Sequence, residues 1–404
     1  MKYRKMGSLD WNVSVLGFGA MRFPMIDQNT VNEEEAIKMI RYAIDNGVNY
    51  IDTAYPYHNG ESEVIVGKAL QDGYRKKVHL TTKLPIWLVK ETRDFGKFLN
   101  EQIGRLQSSP DIYLFHGLTK ARFEKIKKLN LIEEMEEARE KGLLKYIGFS
   151  FHDSFEVFKE ILDYYAWDCC QIQYNYLDID YQAGTKGVRY AGNKSLALII
   201  MEPIRGGKLA IPENKLNSKP RIKEILDKSN FKRTMADWAL QFVWSHPEVS
   251  VVLSGMSSMQ QVKENIESAK NSVINNLTDE DLHIINEFRN AYEKYDLVPC
   301  TSCRYCLPCP NGVSIPWIIR LLNEIGYWGE ERKARISFFY NRMVKTQAAL
   351  EEGLAKGEEV DGAAVLCIQC GECLEKCPQQ IDIPDIMVKA NSIFEDGKKV
   401  SEFF

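Results

Sequence analysis

An alternation of two patterns over residues 1–290 constrains this chain more than any other feature. Short apolar runs, the kind required by strands buried on both faces, stand at Val15–Gly19, Tyr50–Asp52, Val78–Lys83, Ile112–His116, Tyr146–Ser150, Cys169–Tyr174, Leu196–Met201 and Val249–Ser254. Between them lie longer stretches with helical spacing: Glu33–Asn46, Glu61–Leu70, Glu91–Leu106, Leu131–Lys141, Phe155–Tyr165, Thr234–Trp244 and Met259–Ala269. In Glu91–Leu106 the residues Phe95, Phe98, Leu99, Ile103 and Leu106 recur at three- and four-residue steps and predict one apolar face. Gly47, Gly73 and Gly142 follow helix ends, where a left-handed cap is wanted. Eight strands alternating with helices predict a closed α/β barrel, (β/α)8, where five or six would favour an open sheet. Gly17-Phe18-Gly19-Ala20-Met21-Arg22 lacks the third glycine of the open-sheet dinucleotide fingerprint.

The pattern changes near Asp296–Pro299, so a domain boundary is expected near residue 295, with a barrel over 1–295 and a second domain and tail over 296–404. Helical segments are expected there around Pro316–Tyr327 and Ala334–Lys356. Of the ten cysteines, Cys169 and Cys170 begin a strand run and read as small core residues; the other eight lie between Cys300 and Cys377. They form two runs, Cys300-Thr-Ser-Cys303-Arg-Tyr-Cys306-Leu-Pro-Cys309-Pro and Cys367-Ile-Gln-Cys370-Gly-Glu-Cys373-Leu-Glu-Lys-Cys377-Pro. The second run has the spacing of bacterial two-cluster ferredoxins, in which the fourth cysteine of a run ligates the other cluster. By that logic Cys300, Cys303, Cys306 and Cys377 hold one [4Fe–4S] cluster, and Cys309, Cys367, Cys370 and Cys373 the other, in preference to structural zinc. The first run is shorter, with only Leu307 and Pro308 between its last two cysteines, and a long helix-rich insert separates the runs. The insert resembles the α-helical ferredoxin modules of redox complexes.

Charge narrows the function classes. The 52 basic and 56 acidic residues leave a net charge of −4, which argues against a nucleic-acid partner or an anionic membrane surface. No membrane-spanning apolar stretch and no apolar signal core are visible, and cluster-forming cysteines favour a reducing, oxygen-poor cytoplasm.

In such barrels functional side chains gather at the C-terminal ends of strands. Asp52 ends the second run, Tyr57 follows in its loop, Lys83 ends the third run and His116 the fourth. Together they suit proton delivery to a carbonyl oxygen that receives a hydride at carbon. A tyrosine needs a neighbouring ammonium to become a good donor near neutrality, an aspartate holds that ammonium, and a histidine orients the substrate oxygen. Trp87, in the loop after Lys83, is a candidate substrate wall, and His58 reads as a solvated loop residue.

Residues 1–290 resemble the aldo-keto reductase superfamily. The resemblance is carried by Asp52, Tyr57, Lys83 and His116, and by Ile51-Asp-Thr-Ala-Tyr55, Gly60-Glu-Ser-Glu63, Ile147-Gly-Phe-Ser150, Gln171-Ile-Gln-Tyr-Asn175, Glu202-Pro203 and Glu264-Asn265. With the cysteine runs appended, the chain resembles the iron–sulfur branch of that superfamily found in anaerobes. The resemblance implies a tetrad at Asp52, Tyr57, Lys83 and His116. It also implies nicotinamide-nucleotide contacts at Gly19, Met21, Ser150, Gln171, Met201, Pro203, Glu264 and Asn265. Phe151 replaces the asparagine that usually follows the serine, and Met201 replaces the aromatic that stacks on the nicotinamide. The Lys and Arg that pair with the 2′-phosphate in NADP-using members are Gly255 and Gln261 here, so NAD is expected in preference to NADP.

The expected activity is the interconversion of a small-molecule carbonyl and its alcohol, with the clusters as electron relay. A nicotinamide moves two electrons together and a cluster moves one, so a hand-over between them calls for a flavin or another intermediate, and no flavin motif is present. Two alternatives follow: a reductase fed through the clusters by a ferredoxin or flavoprotein partner, or a non-enzymatic electron-transfer subunit on a barrel scaffold.

Overall fold

In a computed structural model the residues described are 1–27, 30–229, 233–293, 296–343 and 362–404. A short antiparallel hairpin, β1 (Tyr3–Lys5) and β2 (Asn12–Ser14), comes first. Eight parallel strands follow: β3 (Leu16–Gly19), β4 (Tyr50–Asp52), β5 (His79–Leu84), β6 (Ile112–Leu118), β7 (Tyr146–Phe151), β8 (Cys169–Gln173), β9 (Ala197–Met201) and β10 (Val251–Gly255). They close in the order β10-β3-β4-β5-β6-β7-β8-β9, so each predicted run is a barrel strand. Nearly all barrel-strand residues are buried, as the near-continuous apolar runs require, with only the end residues His79, Tyr146, Met201 and Gly255 half-buried.

The predicted helices form at Glu33–Asp45, Glu61–Ala69, Asp94–Leu106, Leu131–Glu140, Phe155–Tyr164, Met235–Trp244 and Met259–Lys270. Gly47, Gly73 and Gly142 have φ of +93°, +86° and +73°, the left-handed conformation that a residue without Cβ adopts without strain. Four helices carry no clear period in the sequence: Lys120–Lys128, Gly184–Asn193, Pro220–Lys228 and Asp279–Glu293. Lys120–Lys128 buries only Phe123 and Ile126, too few to register as amphipathic, and Gly184–Asn193 contains three glycines. The β1–β2 hairpin is likewise invisible in sequence. Its value is tertiary: Met6, Leu9 and Val13 join Tyr50, Ile112, Leu114, Cys169 and Val251 in one buried cluster. Cys169 and Cys170 are both fully buried, as expected of core residues.

The chain divides into two compact units, Met1–Arg205 with Leu209–Asn214 and Phe231–Leu282, and Gly206–Lys208 with Lys215–Asn230 and His283–Phe404. The boundary expected near residue 295 falls on 294–295, outside the described residues. In the second unit, helices Ile315–Trp328 and Ile383–Phe394 share a core of Ile318, Leu322, Tyr340, Met387, Ala390 and Ile393. Helix Lys333–Met343 realises the start of the segment expected over Ala334–Lys356, and residues beyond 343 lie outside the described residues until 362. Tail residues Val400 and Phe403 pack on this same core.

Candidate active site and cysteine centres

Register sets the mouth of the barrel. Asp52 pairs with Gly19 on one side and Thr81 on the other, so its carboxylate emerges next to β5, which carries Lys83. The Lys83 ammonium donates to Asp52 Oδ1 at 2.7 Å, to the Thr53 carbonyl at 2.8 Å and to the Tyr57 hydroxyl at 3.4 Å. It also lies 5.0 Å from the Tyr57 ring centre. The His116 ring stands edge-on to Tyr57, centroids 6.0 Å apart, and Trp87 lies 5.0 Å from His116 on the open side. All four tetrad side chains are buried, Lys83 to 1 % exposure. Burial acts first on each charge: it raises the Asp52 carboxyl and lowers the Lys83 ammonium, and each partner's charge opposes the shift. His116 is held well below the ordinary histidine range by burial, then by the cations Lys83 and Arg122. Its imidazole is therefore neutral near pH 7, with a nitrogen to offer an oxygen as a hydrogen-bond donor or acceptor. A phenol beside an ammonium, with a neutral imidazole facing the same space, is an arrangement able to pass one proton to or from a bound oxygen.

The loop that carries Tyr57 is pinned from behind. His58 and Asn59 have φ of +51° and +53°. His58 is not a solvated loop residue: its Nε2 accepts from the Phe23 amide at 3.1 Å, it stacks on the Phe23 ring, and it has a backbone hydrogen bond with Met21. Burial lowers it to about 4, so a neutral ring links the β3 and β4 loops.

The residues expected to face a nicotinamide sit on neighbouring strand ends. Ser150 pairs with Gln171 in register. The Ser150 hydroxyl accepts from the Gly117 amide at 2.7 Å, where β6 is irregular between Phe115 and Leu118. Gln171 is 2 % exposed and its Oε1 has no hydrogen-bond partner. A buried amide oxygen left open is the acceptor that a carboxamide N–H would fill, so the residues present fit the group. Met201 ends β9 and is half-buried, as is Met21, while Pro203 is buried. Gly19 and Gly255 are register partners. A Cβ at Gly255 would stand 3.2 Å from the Arg22 side chain, which crosses that position. Gln261 caps its own helix, its Oε1 accepting from the Ser257 amide at 2.8 Å. Asn265 donates to Ser254 Oγ at 2.9 Å, and Glu264 is exposed and accepts from Gln260.

In the second unit the eight cysteines gather as two sets. The Cys306 thiol is pushed up by burial and then by Cys303, Cys300 and Cys377; that of Cys373 reaches about 11 through burial and then Cys367, Cys309 and Cys370. Cys309, Cys367, Cys370 and Cys373 line one cavity, which Cys306 of the other set also borders. A zinc ion draws its thiolates to about 2.3 Å from one centre, whereas a cube of four irons spreads them over separate corners. Two sets of four thiols fit two [4Fe–4S] groups.

Gln102 and Arg105, which sequence reasoning passed over, form with Glu63 and Thr82 a second polar layer behind Lys83. Glu63, Gln102 and Thr82 are fully buried there beside a half-buried Arg105. Gln102 was legible in principle. It sits four residues after Phe98 and four before Leu106, a polar residue on the buried stripe, while Ile103 is only half-buried.

A closed eight-stranded parallel barrel gathers Asp52, Tyr57, Lys83 and His116 at its C-terminal mouth, where barrels of this class carry their functional side chains. Residues 15–290 match the model of the Aldo/keto reductase family, and 299–382 match a 4Fe-4S dicluster domain. The chain belongs to the aldo/keto reductase family and carries a C-terminal iron–sulfur domain. It is 26% identical over 285 residues to L-galactose dehydrogenase of Arabidopsis thaliana, covering 66% of this chain and 87% of that protein. It is 24% identical over 298 residues to an uncharacterized oxidoreductase of Bacillus subtilis, covering 67% and 91%. Among solved structures, aldo-keto reductase AKR11C1 of Bacillus halodurans in its holo form superposes with a TM-score of 0.58 at 26% identity, over 71% of this chain and 96% of that one. A Klebsiella pneumoniae aldo-keto reductase in complex with NADP and acetate superposes with a TM-score of 0.56 at 21% identity, over 71% and 95%, a likeness of fold. Among the described residues no helix is long and apolar enough to cross a membrane.

Proposed function

We propose that the barrel interconverts a small carbonyl compound and its alcohol, with Tyr57 as general acid and base. The observation that carries this reading is the chain from Asp52 through Lys83 to Tyr57, with spacings of 2.7 and 3.4 Å, buried at the barrel mouth. Lys83, anchored by Asp52 and the Thr53 carbonyl, stabilises a tyrosinate and so eases proton release from Tyr57. Neutral His116 hydrogen-bonds the substrate oxygen and turns it toward Tyr57. Trp87 walls the open side.

Ser150 and Gln171 receive the carboxamide of a nicotinamide, and Gly19, Met21, Met201, Pro203, Glu264 and Asn265 line the remaining nucleotide path. Bound there, a reduced nicotinamide supplies the hydride. Gly255 and Gln261 bring no cation to a 2′-phosphate, so NAD is the preferred nucleotide. Cys300, Cys303, Cys306 and Cys377 hold one [4Fe–4S] cluster, and Cys309, Cys367, Cys370 and Cys373 the other, in a domain that begins near residue 295. When bound, these groups supply single-electron transfer. The protein works in the cytoplasm of an oxygen-poor cell.

One observation favours a second reading, in which a ferredoxin or flavoprotein feeds electrons through the clusters. Cys370 is the one exposed cysteine among those described, and Ile368 beside it is 70% exposed, so the cavity they border opens to solvent.

Anaerobic purification with iron and sulfide analysis, followed by NADH oxidation against a panel of aldehydes and ketones, tests the first reading. Tyr57→Phe is expected to lower turnover by about 10²–10⁴-fold. Equal turnover by the two proteins defeats it. Turnover with reduced ferredoxin and no nucleotide binding selects the second reading.

A further inference from the structure

Behind the tetrad lies a carboxylate that the proton chemistry does not use. Glu63 stands on helix Glu61–Ala69, six residues after Tyr57, with 0% exposure. Its Oε1 accepts from Thr82 Oγ1 at 2.6 Å and from Gln102 Nε2 at 2.5 Å, and its Oε2 faces the Arg105 guanidinium at 3.2 Å. Each of these partners donates, which is the pattern an ionised carboxylate satisfies and a protonated one does not. Burial raises the Glu63 carboxyl, and these donors oppose the rise.

Gln102 ties this group to β5. Its Oε1 accepts from the Tyr113 hydroxyl at 2.6 Å, which fixes the sense of the amide. Its Nε2 then donates both to Glu63 and to the Lys83 carbonyl at 3.1 Å. Thr82, the residue before Lys83, completes the ring by accepting from Gln102 at 3.1 Å. One carboxylate therefore organises the main chain on which Lys83 is mounted.

We propose that Glu63 is a positioning residue for Lys83: a second buried carboxylate that fixes the end of β5 through Gln102 and Thr82 and adds its negative charge to that of Asp52. The proposal rests on the reading in which Lys83 is the cation beside Tyr57. The groups around Lys83 are Asp52 from β4, Tyr57 from the following loop, neutral His116 from β6 and Glu63 from its helix. Arg105, on helix Asp94–Leu106, offsets Glu63 from the far side and is itself paired with Glu101 at 2.6 Å. Asp52 holds the side chain directly; Glu63 holds its backbone and opposes the loss of its proton. A glutamine at 63 keeps an oxygen to accept from Thr82 and Gln102 and sets its amide N–H against the Arg105 guanidinium, so the isosteric change removes the charge while the ring can persist.

The test follows the Lys83 Nζ signal by 15N-lysine NMR as pH is raised, with the signal assigned by its absence in Lys83→Met. In Glu63→Gln the Lys83 midpoint is expected to fall by about one pH unit. The alkaline limb of kcat/KM for NADH-dependent aldehyde reduction is expected to fall with it, and KM to stay near its original value. In Thr82→Val, which keeps the charge, the midpoint stays while kcat falls. Arg105→Met guards against misfolding of the first variant. It removes the cation opposite Glu63, so the Lys83 midpoint is expected to rise. An unmoved midpoint in folded Glu63→Gln or folded Arg105→Met overturns the proposal. The NMR midpoint needs no turnover, so failure of the carbonyl reading would leave this result standing.

Discussion

Lys83 and Asp52 form an ion pair of 2.7 Å with side-chain exposures of 1 % and 3 %. Two opposite charges taken out of water together are tolerable; either alone is not. The pair therefore joins stability to chemistry at one point of the barrel, the junction of β4 and β5.

Lys83→Met should damage both. It leaves the Asp52 carboxylate buried without its cation, at a cost of about 3–5 kcal/mol in unfolding free energy. Turnover should fall by about 10²–10⁴-fold. The double variant Lys83→Met/Asp52→Asn should recover most of the stability and none of the turnover. Urea denaturation under anaerobic conditions, run beside the NADH assay, separates the two effects.

Cys309→Ser addresses the crossing of ligands between the two cysteine runs. Cys309 follows Cys306 in sequence, yet it neighbours Cys373 in the second set. The variant should lose the cluster of Cys367, Cys370 and Cys373 and keep that of Cys300, Cys303 and Cys306. Iron should drop from about eight to about four atoms per chain, and one of two reduced-cluster EPR signals should vanish.

In the function proposed above, nucleotide choice turns on two uncharged positions, Gly255 and Gln261. Gly255→Lys with Gln261→Arg restores cations for a 2′-phosphate, each charge-assisted bond worth about 1.5–3 kcal/mol. The NADPH Kd should fall at least tenfold while the NADH Kd changes little, read by fluorescence titration. Because the Arg22 side chain stands 3.2 Å from a Cβ at Gly255, the new side chain must shift that neighbour to reach the phosphate.

Acid stability should depend on His152. Its Nδ1 is bonded to Gln182 at 3.2 Å, and burial lowers it from about 6.5 to about 4. Between those values the unfolded chain binds the proton and the folded chain does not, so stability rises with pH across the window and falls as pH drops through it. From pH 7 to pH 5 this one group should remove about 2 kcal/mol. Anaerobic urea midpoints at the two pH values should show a smaller loss in His152→Gln. His58, also lowered to about 4, should leave a residual slope.

The amino-acid sequence by itself determined the barrel. Strands buried on both faces must be continuously apolar, and eight such runs, from Val15–Gly19 to Val249–Ser254, mark every barrel strand. It also determined the iron–sulfur domain, because the three-residue step and the following proline encode loop geometry locally. Tertiary structure alone decided what has no local period. The hairpin of β1 and β2 is polar and short, and owes its place to the side chains Met6, Leu9 and Val13 that it buries. His58 reads as a loop residue until Phe23 arrives to stack on it. Glu63, Gln102 and Arg105 are ordinary helix residues in one dimension. Only closure of the barrel, which sets two helices against the end of β5, turns them into a buried layer beneath Lys83, since burial of a charge is a property of its surroundings and not of its neighbours in the chain.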